Sequence, residues 1–305
     1  MGDRPPHRTL DDPLSALPDD RRWWVHPGGR IDCGRGRLVG IVNATPDSFT
    51  DEGRHFGTPR SVAHGERLAA AGADVVEVGG ESLRFSPRTD PRVEAERVVP
   101  VIERLVRVLD VPVAVDTFKP AVAAAAIDAG AVLLNDPTGL RDPEMRRVAA
   151  ATGVGVVLTH FFGTPKVRPR TFPEVDVPRA VCDWGREALA AAETAGIPRE
   201  RVVVDPGVGL GKSPAQDLEL LHRIHEVVAL GRPVFVPAGN KKVLGAVTGL
   251  QAQDRLAPTA AAVAWCRLRG ASVFRVHDVA FMRAVLTMTE AMLTGEAMHW
   301  FDVPK

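Results

Sequence analysis

The stretch VPVAVDTFKPAVAAAAIDAGAVLLN, residues 111–135, carries the pattern that organises the whole chain. A β-branched run ends on Asp116, an alanine-rich segment of helical period follows (PAVAAAAIDAGA), and a second apolar run, AVLLN, closes on Asn135. Short apolar runs separated by such a segment read as strand, helix, strand. The same alternation extends in both directions, with candidate strands LVGIVN (38–43), DVVEVG (74–79), VPVAVD (111–116), AVLLN (131–135), GVGVVLTH (153–160), RVVVD (201–205), RPVFVPA (232–238) and SVFRV (272–276). Eight βα units without a large interruption predict an α/β protein built as a single (β/α)8 TIM barrel, not an open doubly wound sheet. Such a barrel takes about 250 residues, so a length of 305 requires no second domain.

Ahead of the first unit, GRIDCGRGRLVG (29–40) reads as two short strands around a Gly-rich turn, an N-terminal β-hairpin suited to plugging the barrel bottom. The first thirty residues are rich in Pro, Asp and Arg and lack the apolar core of a signal peptide. A poorly ordered N-terminal arm is expected over 1–30 and the barrel domain over 31–305. The segment FFGTPKVRPRTFPEVDVP (161–178) has four prolines and little periodicity, so a loop over the mouth is expected after the fifth strand.

Hydrophobic residues make up 45% of the chain, aromatics only 5%, and tyrosine is absent, so the core must be built from Val, Ala, Leu and Ile. Lys plus Arg and Asp plus Glu are 38 each. That balance leaves no bulk field to gather nucleic acid or an anionic membrane, and any anion site must be local. The odd, widely spaced cysteines Cys33, Cys182 and Cys266 fit free thiols in a reducing, cytoplasmic compartment and have no zinc-site spacing. No run of apolar residues is long enough to span a bilayer as a helix.

In this architecture the chemistry sits at the C-terminal ends of the strands. Those ends are polar: Asn43, Asp116, Asn135, His160 and Asp205 close five strands, Lys241 follows the seventh, and Arg275 and His277 close the eighth. Each could merely cap the helix that follows, and Asp205 before Pro-Gly is a turn former by itself. Together on one rim they supply carboxylates and amides that can read a polar heterocycle by paired hydrogen bonds, beside cations suited to an anion. DPGVGLGKS (205–213) fails the nucleotide P-loop pattern, because Pro206 occupies the first glycine position. His222 and His225, three apart, belong on an outer helix face, and neither HExxH nor a nucleophile elbow occurs.

The stretches GIVNATPDSFTDEG (40–53), DVVEVGGES (74–82), VAVDTFKPAVAAAAIDAGAVLLND (113–136), VVVDPGVGLGK (202–212) and FRVHDV (274–279) resemble the dihydropteroate synthases, pterin-binding barrels of folate biosynthesis. They follow the family order over nearly all of the chain after residue 30. The resemblance implies that Asp116, Asn135, Asp205, Lys241 and Arg275 bind the pterin. It implies that Asn43, Arg275 and His277 hold a pyrophosphate with Asn43 on its Mg2+, and that Lys241, Arg275 and Asp116 are the catalytic set. It also implies a homodimer, for which LAPTAAAVAWCRL (256–268) offers an apolar face, and a reaction joining the methylene of 6-hydroxymethyl-7,8-dihydropterin diphosphate to an amine acceptor.

Departures cluster on the side that receives p-aminobenzoate in the family. Gly239 and Asn240 precede Lys241 where Ser-Arg is usual, Leu83 and Phe85 flank Arg84 in place of Thr and Pro, and Leu210 replaces Phe. This acceptor pocket is expected to be more apolar than the family's, with Lys242 facing away from Lys241. The residues resemble divergent second copies of the family found in actinobacteria. Several readings stay open: a transferase with another acceptor, an ordinary synthase with a sulfonamide-tolerant pocket, a non-catalytic pterin binder, or, from another class, a corrinoid-linked methyltransferase domain.

Overall fold

The computed structural model describes residues 22–45, 57–82, 88–167 and 172–295. Most of the expected arm and the last ten residues of the expected domain lie outside them. An antiparallel hairpin comes first, β1 (Trp23–His26) and β2 (Gly29–Asp32), turning at Pro27 and Gly28. Eight strands follow: β3 (Arg37–Asn43), β4 (Val75–Gly79), β5 (Val113–Asp116), β6 (Leu133–Asp136), β7 (Gly155–Thr159), β8 (Val202–Asp205), β9 (Phe235–Val236) and β10 (Val273–Val276). They form one parallel sheet in the order β8-β7-β6-β5-β4-β3-β10-β9. A parallel bridge from Val204 to Val234 joins its two edges, so the sheet is the expected TIM barrel.

The period of two along each strand divides its side chains between two cores. Val39, Val75, Ala114, Leu133, Val157, Val203, Phe235 and Val273, one from each strand, point inward and pack with Trp24, Ile31 and Cys33 of the hairpin region. Their neighbours, among them Leu38, Val76, Val115, Leu134, Val156, Val204 and Phe274, point outward against the helices. The hairpin therefore plugs the barrel bottom with Trp24, whose indole Nε1 donates to the Arg201 carbonyl at 3.1 Å.

The helices are α1 (Thr58–Ala70), α2 (Pro91–Val108), α3 (Pro120–Asp128), α4 (Pro143–Thr152), α5 (Val177–Thr194), α6 (Pro214–His222), α7 (Ile224–Val228), α8 (Lys242–Thr248), α9 (Leu256–Leu268) and α10 (Val279–Thr294). Their starts are written in the sequence. Asp90, Asp142 and Asp176 each accept a hydrogen bond from the first turn, Ser213 and Gln216 make a capping box, and proline occupies the first turn of all five helices from α1 to α5. Each such cap contributes about 1 kcal/mol.

Two expectations shift. The hairpin turns at Pro27-Gly28 rather than at Gly34-Gly36, so Trp23–His26 belongs to the fold although it falls in the stretch expected to be a loose arm. The seventh strand is two residues long instead of seven, because Pro233 and Pro237 have no N–H to donate to the ladder. Its pairing is extended by the Pro233 carbonyl, which accepts from Val204 N at 2.9 Å.

Candidate functional site

Continuing the inward alternation toward the C-terminal ends brings polar side chains into the barrel mouth. Glu77 stands two residues above Val75, Asp116 two above Ala114, Asn135 two above Leu133, Asp205 two above Val203 and Arg275 two above Val273. Arg275 Nε donates to Glu77 Oε1 at 2.5 Å, and an Arg275 Nη donates to Asp116 Oδ2 at 2.8 Å. Asn135 Nδ2 donates to the other Glu77 oxygen at 2.9 Å. Asp116 and Asn135 are register partners on β5 and β6. Four inward positions from four strands are thus one connected network.

Asp205 begins the turn that leaves β8. Its Oδ1 accepts from Gly207 N at 2.7 Å, and its carbonyl accepts from His160 N at 2.9 Å. The loop beyond it needs its glycines. Gly207 has φ +74° and a Cβ there would lie 1.7 Å from the His160 carbonyl; Gly211 has φ +82° and a Cβ would lie 2.1 Å from the Phe162 carbonyl. Between them Gly209 has φ +81°, which favours glycine, and the Lys241 side chain runs beside it with Cδ 3.4 Å from where a Cβ would stand. The glycine spacing that imitates a P-loop therefore lets the sixth loop pass close under the fifth and beside Lys241.

Burial dominates the electrostatics. It pushes Asp116 up to about 7, with Glu77, Glu94 and Asp136 adding and Arg275 opposing, and pushes Asp205 up to about 6. It pulls Lys241 below the ordinary lysine value, a drop limited by the Asp205 carboxylate, and brings Lys212 down to about 8. Arg275 also loses by burial, but Glu77 and Asp116 outweigh that and raise it. The Lys241 ammonium senses Asp205, Arg275 and Asp116 together, which places these expected residues around one space.

The remaining expected residues fall as follows. Asn43 ends β3, in register with Gly79, and His277 follows β10 beside Gly239, where an added Cβ would lie 3.0 Å from its Cδ2. Asn240 is left-handed at φ 53°, a conformation asparagine tolerates well. Leu210 is half-buried, donating its N–H to the Gly207 carbonyl. Lys241 is the N-cap of α8, with extended backbone, and Lys242 is its exposed first residue; because Lys242 is already helical, the strand alternation expected to turn it away from Lys241 does not apply there. Leu83, Arg84 and Phe85 lie outside the described residues. His160 has the outward parity: its ring packs edge-on against Phe172 and Trp184, and burial lowers it to about 3, so it is neutral and behind the wall of the mouth. His222 stacks on Trp265 in the outer layer.

Glu77 and Lys212 escaped the reading of strand ends. Glu77 lies in the middle of its strand, and its signal was a charge inside the apolar run DVVEVG. Lys212 donates to the Gly207 carbonyl at 2.9 Å and supports the sixth loop. A second ion cluster also occupies the rim. Lys119 Nζ reaches Glu94 at 2.5 Å, Glu81 at 2.7 Å and the Thr89 carbonyl at 2.6 Å, while Lys166, from the loop after β7, meets Glu81 at 3.3 Å. That last contact ties the described start of the fifth loop to the loop after β4; residues 168–171 of the expected loop lie outside the described residues, and its last two positions open α5. Among the described residues no group of three or more His, Cys, Asp or Glu is placed to hold a metal.

Similarity to known proteins agrees with this geometry. The family model described as pterin binding enzyme matches residues 39–277. The chain is 45% identical over 243 residues to a probable bifunctional folylpolyglutamate synthase/dihydropteroate synthase of Haloferax volcanii, covering 79% of this chain but 29% of that longer protein. It is 40% identical over 264 residues to a Mycobacterium bovis protein named inactive dihydropteroate synthase 2, covering 85% and 83% of the two chains. A Xanthomonas albilineans dihydropteroate synthase solved in complex with 7,8-dihydropteroate superposes with a TM-score of 0.80 at 39% identity, over 92% of this chain and 100% of that one. With its barrel, its polar mouth and these relatives, the chain belongs to the pterin-binding enzymes, in the dihydropteroate synthase family.

Proposed function

We propose that the protein is a dihydropteroate synthase-like transferase that joins the methylene of 6-hydroxymethyl-7,8-dihydropterin diphosphate to an amine acceptor with loss of pyrophosphate. The observation that carries this reading is the meeting of Asp116, Asn135, Asp205, Lys241 and Arg275 in one mouth of a barrel of this family. The carboxylates and the amide accept and donate along the edge of a flat heterocycle, and Lys241 reaches its carbonyl. Asn43, Arg275 and His277 hold the diphosphate, so that negative charge leaves the methylene toward cations while the pterin ring delocalises the positive charge left behind. The C–O bond to the diphosphate breaks, and the amine nitrogen forms the new C–N bond and gives up a proton.

Magnesium fits this site as a guest of the diphosphate. The described residues offer no cage of carboxylates, but Mg2+ is commonly held by phosphate oxygens, water and one or two protein oxygens. The Asn43 amide oxygen would be such a ligand, and the metal would neutralise charge on the leaving group.

On the acceptor side, Gly239 and Asn240 lack the hydroxyl and guanidinium that would meet a benzoate carboxylate, a loss of about 1.5–3 kcal/mol for the charged partner. We therefore assign the protein an altered acceptor. The similarity to a relative named inactive supports a second reading, a pterin binder without turnover. Pyrophosphate release from the dihydropterin diphosphate, assayed with p-aminobenzoate and with a panel of other amines, decides among them. Release only with another amine is expected. Robust turnover with p-aminobenzoate would make it an ordinary synthase, and binding without release would favour the non-catalytic reading. Failure to bind pyrophosphate would revive the methyltransferase alternative.

The three free thiols support a reducing, cytoplasmic compartment. A cleft of about 290 Å³ between α6, α8 and α9, lined by Leu218, Leu221, Val243, Val247, Pro258 and Trp265, supports the homodimer reading, since Leu218 and Val247 are exposed. Light scattering at tens of micromolar should give twice the chain mass of 32.7 kDa; a monomer removes this claim.

A further inference from the structure

We propose that Glu77 is a positioning residue that fixes the Asn135 amide and the Arg275 guanidinium for the ligand. The inference deepens the pterin reading above and rests on it for the identity of the ligand. Glu77 is 1% exposed, in the middle of β4 and one inward layer below the rim. Its carboxylate spends one oxygen on Arg275 Nε and the other on Asn135 Nδ2.

An asparagine amide is pseudo-symmetric, so a half-turn about its last bond exchanges donor for acceptor with almost no change of shape. Beside the two Glu77 oxygens, one taken by Arg275 Nε, the orientation found is the one that directs the NH2 group to the carboxyl. The carbonyl Oδ1 is then held on the other side of the amide. What the bound ring meets at Asn135 is therefore set by Glu77, which lies behind it. The same carboxylate, with Asp116, holds Arg275 from two sides. A residue serving only to neutralise Arg275 would need one oxygen; the second contact is the one that selects an amide orientation.

Glutamine at this position cannot accept from both partners, because one of its two terminal atoms is an NH2 donor. If its oxygen stays on Arg275, its NH2 faces Asn135, and the Asn135 amide turns over to accept from it. Glu77→Gln is therefore expected to lower affinity for 6-hydroxymethylpterin, measured calorimetrically with pyrophosphate and magnesium, by tenfold or more. In the Asn135→Ala background the same change should cost much less, since the group it acts through is gone. Equal affinity in Glu77→Gln and unmodified protein, or costs that simply add in the double variant, would overturn the proposal.

A pH profile separates this role from a purely structural one. Asp116 is faced by Arg275 of β10, Glu77 of β4, Glu94 of α2, Asp136 of β6 and Lys241 at the head of α8. Removing the Glu77 charge should move the acid limb of binding to lower pH, and an unmoved limb counts against the proposal. Unmodified protein that binds no pterin refutes the function proposed above, but this inference is still read without ligand. The Asn135 side-chain amide resonance, identified by its loss in Asn135→Ala, should show a hydrogen-bonded proton that shifts in Glu77→Gln. If that variant fails to fold, Glu77→Asp retains the charge one methylene further from both partners, and should move the same resonance and weaken pterin binding. An Asn135 resonance and an affinity both unchanged in Glu77→Asp overturn the proposal.

Discussion

Two clusters of acids and bases share the rim of this barrel and are built to opposite ends. In the first, Lys119, Glu81, Glu94 and Lys166 are each 10% exposed or less at the side chain, and every charge has its opposite within 3.3 Å. In the second, Arg275 and Asp116 keep 22% and 18% of their side chains open to the mouth. Burial opposes the Glu81 charge, but Lys119 and the Thr89 N–H outweigh it and hold its carboxyl below the usual value, whereas burial pushes Asp116 far above its own. The closed cluster has paired its charges with one another, and the open one keeps its side chains accessible from the mouth. Charge on a barrel rim is thus informative through what it lacks.

The strongest way to separate the two is to break the closed one. Lys119→Met leaves Glu94 and most of Glu81 buried without their principal cation and should cost about 3–5 kcal/mol of unfolding free energy, measured by chemical denaturation. A loss below 1 kcal/mol would mean that this cluster is not scaffold.

Asp116→Ala inverts the experiment. It should weaken pterin binding by about 1–3 kcal/mol while changing unfolding free energy far less, because the burial cost of Asp116 disappears with it and Arg275 keeps Glu77. Calorimetry and denaturation on the same preparation check this pair. Unchanged affinity would remove Asp116 from the ligand site.

Acidity distinguishes the clusters by sign. Asp116 has a folded value of about 7, above the roughly 3.9 of an unfolded aspartate, so its contribution to stability is present at low pH and lost as pH rises through 7. Glu81 is lowered, so its contribution is present above the ordinary glutamate value and lost as pH falls through the lower folded one. Ligand affinity should follow Asp116 in the other sense, falling by up to about tenfold per unit below pH 7 as the acceptor is protonated. A flat affinity from pH 5 to 8 would contradict the assignment.

The smallest effect is expected beyond the seventh strand. Gly239→Ser with Asn240→Arg restores the family's residues, yet the new Cβ at 239 meets His277 at 3.0 Å and arginine must take up φ 53°, costing about 1–2 kcal/mol. Turnover with p-aminobenzoate should rise only slightly. Full synthase activity in this variant would show that these two residues alone account for the altered acceptor, and that Leu83, Phe85 and Leu210 do not matter to it.

Most of the fold was legible because its signals are periodic and local: eight apolar runs, helical spacers, and Asp, Ser and Pro at the helix starts. The rest was decided by partners distant in sequence. Trp23–His26 follows a stretch rich in Pro, Asp and Arg, and its place in the fold is fixed only by Trp24 closing the barrel bottom on Arg201. His160 and Asp205 both end apolar runs, and only the register of β7 with its neighbours sends the imidazole outward. Glu77 was missed for the converse reason, since strand ends draw attention and a layer below them does not. The second barrel strand ends on Gly79 with no polar side chain, and counting two residues down from that end would have found Glu77.

The ties that close the barrel also set the order in which it can form. Gly36 N donates to Glu290 at 2.6 Å, Arg267 reaches the Gly34 carbonyl, and β3 pairs with β10 across more than two hundred residues. A ribosome adding about 5–20 residues per second would leave the first barrel strand without its last neighbour for tens of seconds. Through that interval its free edge is a template for other chains. The interval ends only when the strand bearing Arg275 emerges, so the residue that completes the ligand site comes with the strand that removes the aggregation hazard.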